Sequence, residues 1–143
     1  MISSSPPAGD ASVAPFDHAT AVITQYFTTL NAGEFAATAY LFAEDGVLYP
    51  PFDREVVGRE AIATYLTTEA QAMRLVPIQT AIEPLAENRL QGAVTGTVQT
   101  TLFSVNVAWD FCLSADLKID SVKIKLLAAL PELLSLKQRQ NEI

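Results

Sequence analysis

From Arg89 the chain reads Arg-Leu-Gln-Gly-Ala-Val-Thr-Gly-Thr-Val-Gln-Thr-Thr-Leu to Leu102, and from Asn106 it reads Asn-Val-Ala-Trp-Asp-Phe-Cys-Leu to Leu113. Both stretches are rich in β-branched and aromatic residues, as extended strands are. In the second, Val107, Trp109 and Phe111 share one face by alternation, and Asp110 and Cys112 take the other. The same period of two continues outward. Ile78–Leu85 precedes the pair, joined by an Ala86-Glu87-Asn88 turn, and Lys118–Leu127 follows it after an Ala115-Asp116 turn.

Further toward the N-terminus the period is helical. Val22, Ile23, Tyr26, Phe27 and Leu30 fall on one face of a helix that starts at Asp17, a good capping residue, and stops at Asn31-Ala-Gly33. A shorter helix turns Phe35, Ala39, Leu41 and Phe42 inward. Glu44-Asp45-Gly46 reads as a turn and Val47–Tyr49 as a short strand stopped by Pro50-Pro51. A third helix runs from Arg59 to about Arg74 with Ile62, Tyr65, Leu66, Ala70 and Met73 at helical spacing, and Pro131 opens a terminal helix. Residues 1–16, rich in Ser, Pro, Ala and Gly, read as a flexible tail, and residues 17–143 as one ligand-binding domain. Helices grouped on one face of a curved antiparallel sheet make an α+β fold. Wrapped around the first helix, such a sheet leaves a conical pocket at its wide end.

Composition agrees with a lined cavity. Half of the 143 residues are hydrophobic and 17% are charged, with a mean hydropathy of +0.24. No segment carries the unbroken apolar run of a membrane helix. The start lacks the basic and apolar regions of a secretory signal, so a cytoplasmic location is expected. The net charge of −7 disfavours nucleic acid and anionic membrane. With only His18 and Cys112 to offer nitrogen and sulfur, a tetrahedral zinc site is not expected, nor is an internal disulfide.

Acid–base catalysis would need a carboxylate or a histidine held in the cavity. His18 reads as a solvated residue near a helix start, and Asp45 as a turn residue. Asp53, Glu55, Asp116 and Asp120 read as loop or strand-end charges, and Asp110 points away from the Trp109 face. An enzyme is therefore not expected. Tyr26 and Trp109 stand out instead: each is an aromatic body with a polar handle on an inward face. They read either as ordinary core aromatics or as two donors at a pocket floor.

A resemblance favours the second reading. Tyr26-Phe-Thr-Thr-Leu-Asn31, Leu41-Phe-Ala-Glu-Asp-Gly46, Pro50-Pro51-Phe52 and Val57-Gly58-Arg-Glu60 resemble, in order and spacing, the C-terminal domain of the cyanobacterial orange carotenoid proteins. So do Leu75-Val-Pro77, Gly96-Thr-Val-Gln-Thr100, Asn106-Val-Ala-Trp-Asp-Phe111, Leu126-Leu-Ala128 and Pro131-Glu-Leu-Leu134. The resemblance is strongest to stand-alone homologues of that domain. It implies the cone-shaped nuclear-transport-factor-2-like fold and a ketocarotenoid ligand of the echinenone or canthaxanthin kind. It also implies a homodimer, transfer of the pigment to a helical-domain partner, and quenching of reactive oxygen as an added role. Tyr26 and Trp109 match the donors to the keto oxygen. Leu30, Met73, Leu75, Phe103, Phe111 and Ile124 match the tunnel lining, and Glu69 matches an acidic residue that contacts the other domain of the two-domain protein. Leu102-Phe103-Ser-Val-Asn106 is shorter than the family's Gly-rich hairpin, and Asp110 and Lys125 stand where the family has Arg and Asp. The competing expectations are an isomerase- or dehydratase-type enzyme on the same fold and a non-catalytic dimerisation module.

Overall fold

The computed structural model describes residues 7–127, with side chains from residue 16 onward. The elements are α1 (Pro7–Asn31), α2 (Phe35–Tyr40), β1 (Phe42–Tyr49), β2 (Val56–Val57), α3 (Arg59–Glu69), β3 (Arg74–Pro84), β4 (Leu90–Gln99), β5 (Ser104–Leu113) and β6 (Ile119–Leu127), with a 3-10 turn at Ala86–Asn88. The strands form one six-stranded sheet in the order β2-β1-β6-β5-β4-β3. It is an α+β fold in which the helices lie against one face of a curved sheet.

The period-two stretches form the centre of the sheet. β4 and β5 pair antiparallel with Gly92 opposite Phe111, Val94 opposite Trp109 and Gly96 opposite Val107. Because Gln99 pairs with Ser104, only residues 100–103 remain for the turn. Thr100 closes it: its hydroxyl oxygen accepts from the amides of Leu102 (3.2 Å) and Phe103 (3.1 Å). Val107, Trp109, Phe111 and Leu113 are buried, and the residues between them are half-buried. The alternation expected for this strand is therefore the one present, with Cys112 on the face opposite Trp109.

α1 packs on that inner face through Ala19, Ile23, Tyr26, Phe27 and Leu30. The helix ends at Asn31, as expected, with Gly33 in the left-handed region at φ 77°. Its C-terminus is fastened to β3 by one side chain. Asn31 Nδ2 donates to the Leu75 carbonyl and the Leu75 amide donates to Asn31 Oδ1, both at 2.8 Å. The amide of Asn31 thus acts as a single residue of added strand.

The structure departs from the sequence reading in several places. α1 begins at Pro7, not Asp17. Proline suits the first turn of a helix, where an amide hydrogen has no partner. The rest of the expected tail, residues 1–6, and the expected terminal helix from Pro131 lie outside the described residues. α3 ends at Glu69 because residues 74–77 are taken into pairing with Gln99–Gly96. β3 is an edge strand, so Pro77 and Pro84 cost it no pairing on the open side. Glu44-Asp45-Gly46 is an irregularity inside β1 and not a turn before it. The sheet is also not wholly antiparallel: β1 runs parallel to β6, with Leu48 opposite Val122. The long crossover through α3 and the antiparallel strands makes that pairing possible.

The Asn31 bracket yields a stability expectation. Asn31→Ala removes two hydrogen bonds and leaves the Leu75 amide and carbonyl without them, a loss of about 1–3 kcal/mol. Urea unfolding should show a lower midpoint with an unchanged slope. An unchanged midpoint would mean that the bracket does not hold α1 to the sheet.

Candidate functional site

The inner face of β5 and the facing stripe of α1 meet in an aromatic cluster. Phe27 lies edge-on to Trp109, with centroids 4.8 Å apart, and edge-on to Tyr26 at 5.2 Å. Tyr26 in turn meets Phe111 edge-on at 5.0 Å and lies 6.3 Å from Phe42. Edge-to-face contacts of this kind add to the apolar burial and fix ring orientation. They hold Tyr26 and Trp109 at 1% exposure each.

Both rings line one cavity of about 290 Å³. Leu30, Met73, Leu75, Phe103 and Ile124 line it as well. Phe111 does not, and that expectation is corrected. Phe111 is fully buried under Tyr26, paired with Gly92, and supports the floor from below. The resemblance had assigned Phe111 to the lining; alternation places it only on the inward face, which is where it lies.

α3 forms the wall that the sequence reading did not assign to the site, through Tyr65, Leu66, Glu69 and Ala70. β1 and the following corner add Leu48, Pro50 and Pro51. Helical spacing had put Tyr65 inward. Nothing in that spacing separates a core position from a cavity wall. At the mouth, Met73, Phe103 and Leu126 are exposed and line the cavity, next to Leu102, which is 88% exposed. Large apolar side chains are thus gathered around one opening.

The walls are apolar and the floor carries donors. Among the described residues, neither the Tyr26 hydroxyl nor the Trp109 indole N–H makes a hydrogen bond. A buried donor without a partner is costly, by about 1–3 kcal/mol. Both residues border one apolar cavity. Burial raises the pKa of the Tyr26 hydroxyl far above the usual phenol range, with the neighbouring Tyr65 adding to it, so Tyr26 remains a donor. Tyr65 is also raised, by burial first and then by the negative charges of Asp53 and Glu69.

The groups considered for acid–base work sit elsewhere. His18, Asp45, Asp53 and Glu55 are exposed. Asp110 lies on the outer face and accepts from Gln91 Nε2 at 2.9 Å. Asp116 accepts from the Ser114 hydroxyl at 2.7 Å, which lowers its pKa. Asp120 lies 3.9 Å from Arg89, whose Nη2 donates to Cys112 Sγ at 2.9 Å. Glu69 reaches the cavity from an exposed position on the rim. A second hollow of about 290 Å³ lies between α1 and β3, bounded by Thr24, Thr28, Asn31 and Arg74. There Asn31 is already committed to Leu75, and no buried unpartnered donor faces the space.

Comparison with known proteins gives one pattern. A model of the SnoaL-like domain family matches residues 23–117. The orange carotenoid-binding protein of Limnospira maxima is 41% identical over 118 residues, covering 80% of this chain and 37% of that protein. The orange carotenoid-binding protein of Synechocystis is 40% identical over 119 residues, covering 80% and 38%. The structure of the Anabaena (Nostoc) orange carotenoid protein binding canthaxanthin superposes with a TM-score of 0.72 at 39% identity, covering 80% of this chain and 38% of that one. The matched part is the C-terminal domain. The chain therefore spans less than two-fifths of the length of the curated relatives it matches.

The buried phenol gives a pH expectation. The folded pKa of Tyr26 lies above its unfolded value of about 10, so its contribution is full below about pH 10 and is lost as pH rises beyond it. Alkaline difference spectra of wild type and Tyr26→Phe should show the same tyrosinate signal for as long as the protein stays folded. A smaller signal in the variant before unfolding would show that Tyr26 is not sealed from water.

Proposed function

The chain belongs to the SnoaL-like domain family, and we propose that within it this protein binds a ketocarotenoid in the α1–β5 cavity and hands it to a partner protein. The observation that carries the reading is the pair of buried donors, Tyr26 and Trp109, which have no hydrogen-bond partner among the described residues and line one apolar cavity. A keto oxygen offers two lone pairs, one for each donor. The hydrocarbon walls suit the polyene that follows. The relatives named for carotenoid binding, and the Anabaena structure with canthaxanthin, support the same ligand class.

A homodimer belongs to this proposal. The cavity of about 290 Å³ is at the low end of those that enclose a drug-sized molecule. A full-length carotenoid seated at its floor would project through the mouth. Exposed apolar area costs about 25 cal/mol per Å². A second copy placed mouth to mouth would bury the projecting half and offer the same two donors to the far ring. A two-fold arrangement suits a nearly two-fold ligand. The exposed Met73, Leu102, Phe103 and Leu126 are the side chains such a contact would cover. Delivery to a helical-domain acceptor, quenching of reactive oxygen and a cytoplasmic location complete the proposal. No helix among the described residues is long and apolar enough to cross a membrane.

Expression in a ketocarotenoid-producing host should give coloured protein, and colourless protein would end the proposal. Tyr26→Phe or Trp109→Phe should weaken binding of a ketocarotenoid by about two- to tenfold, the worth of one hydrogen bond at about 0.5–1.5 kcal/mol. Binding of a carotenoid without keto groups should hardly change. Equal losses for both pigments would remove the donor role.

The dimer has its own measurement. Light scattering on the loaded protein should give twice the 15.4 kDa of one chain, with one pigment per two chains. A loaded particle of monomer mass would overturn the shared-ligand arrangement.

A further inference from the structure

Five polar side chains reach the cavity: Tyr26, Trp109, Thr100, Tyr65 and Glu69. Their hydrogen-bonding capacities decide what a ligand can offer them. Tyr26 and Trp109 are donors at the floor. A single keto oxygen has two lone pairs, so these two donors use its capacity in full. Thr100 is spent on its own turn, where its hydroxyl accepts from the amides of Leu102 and Phe103 and lies 3.1 Å from the Phe103 carbonyl. Glu69 is exposed on the rim and, as a carboxylate, can only accept.

Tyr65 is left over. It is half-buried on α3, between Ile62 and Leu66, which are buried, and one helical turn before Glu69. Among the described residues its hydroxyl has no hydrogen-bond partner. It lines the same cavity as Tyr26 and Trp109. The side chain therefore brings a third hydroxyl to the wall of the same cavity, after the keto oxygen is already saturated. A hydroxyl so placed is satisfied by a second ligand oxygen near the first.

We infer that Tyr65 is a specificity-determining residue, and that the cavity prefers an end ring carrying a hydroxyl beside its keto group over one carrying the keto group alone. The inference rests on the ketocarotenoid reading and deepens it. The keto oxygen engages Tyr26 and Trp109, and the adjacent ring hydroxyl pairs with the Tyr65 oxygen. Each of these two hydroxyls can donate or accept, so the pair forms in either sense. The ring hydroxyl is then not buried unpaired against an apolar wall.

The test compares canthaxanthin, which has keto groups only, with its dihydroxylated counterpart astaxanthin, on wild type and Tyr65→Phe. Binding is followed by visible absorption. Wild type should bind the hydroxy-keto pigment about two- to tenfold more tightly. Tyr65→Phe should remove that ratio by weakening the hydroxy-keto pigment more than canthaxanthin. Its thermal midpoint should match wild type, because the position is half-exposed and the ring is kept. If wild type shows no preference, the inference is wrong without recourse to any variant. If the preference survives in Tyr65→Phe, or both pigments weaken equally, Tyr65 is not its source. If neither pigment binds wild type, the carotenoid reading fails and this inference falls with it. That outcome is distinct from binding without discrimination.

Discussion

The edge-on contact of Phe27 with Trp109, 4.8 Å between centroids, is the interaction on which the rest of this molecule depends. It is where α1 meets the sheet. The same Phe27 ring lies edge-on to Tyr26, so one side chain orients both floor donors at once. Close by, β4 has no side chain at Gly92. A Cβ there would fall 2.5 Å from Ile23 Cδ1, on the same stripe of α1. Sheet curvature, helix depth and donor orientation are therefore one packing problem with one solution.

The two ends of the cone have different chemistry as a consequence. Below the Tyr26–Trp109 level the interior is filled, by Phe42, Phe111, Leu113 and Ile119, all fully buried. Above it the filling stops, and Val98, Val105, Val107 and Ile124 border the cavity. The same hydrophobic strands then line a space, and at the mouth they present apolar side chains to water. A chain that is half hydrophobic is thus divided between a dry core at the narrow end and an unfilled apolar lining at the wide end. The high hydropathy noted in the sequence comes from both parts, and only the second bears on ligand binding.

Much of this was legible in the residues. The period of two between Ile78 and Leu127 announced four strands, and β5 buries the face that alternation selected. Tyr26 and Trp109 were recognisable because each placed a polar handle on an apolar face. What was not legible depended on distant partners. α3 gives up residues 70–74 because β4 is long enough to pair with Arg74–Pro77 and Asn31 claims the backbone of Leu75. The parallel seat of β1 against β6 joins segments far apart in sequence, with no local signature. Phe111, which the resemblance assigned to the lining, is core, and Tyr65, which helical spacing turned inward, is cavity wall. Periodicity reports that a residue faces inward, and does not say whether the inside is filled at that level.

The electrostatics of the cavity separate holding a ligand from admitting it. The floor donors are an indole, which does not titrate, and a phenol kept protonated by burial. Their grip on an acceptor oxygen is therefore constant across physiological pH. Away from bulk water such hydrogen bonds are strengthened by the low local dielectric, and leaving them unmade is costly. The rim is the reverse: Glu69 is a solvated carboxylate on the cavity edge, and the negative charges of Asp53 and Glu69 reach Tyr65. A charge there is screened by water and salt and contributes little to holding an apolar ligand. It does act on whatever approaches the opening, by favouring basic surfaces and opposing acidic ones. In the proposed function, affinity is set at the floor and partner choice at the rim.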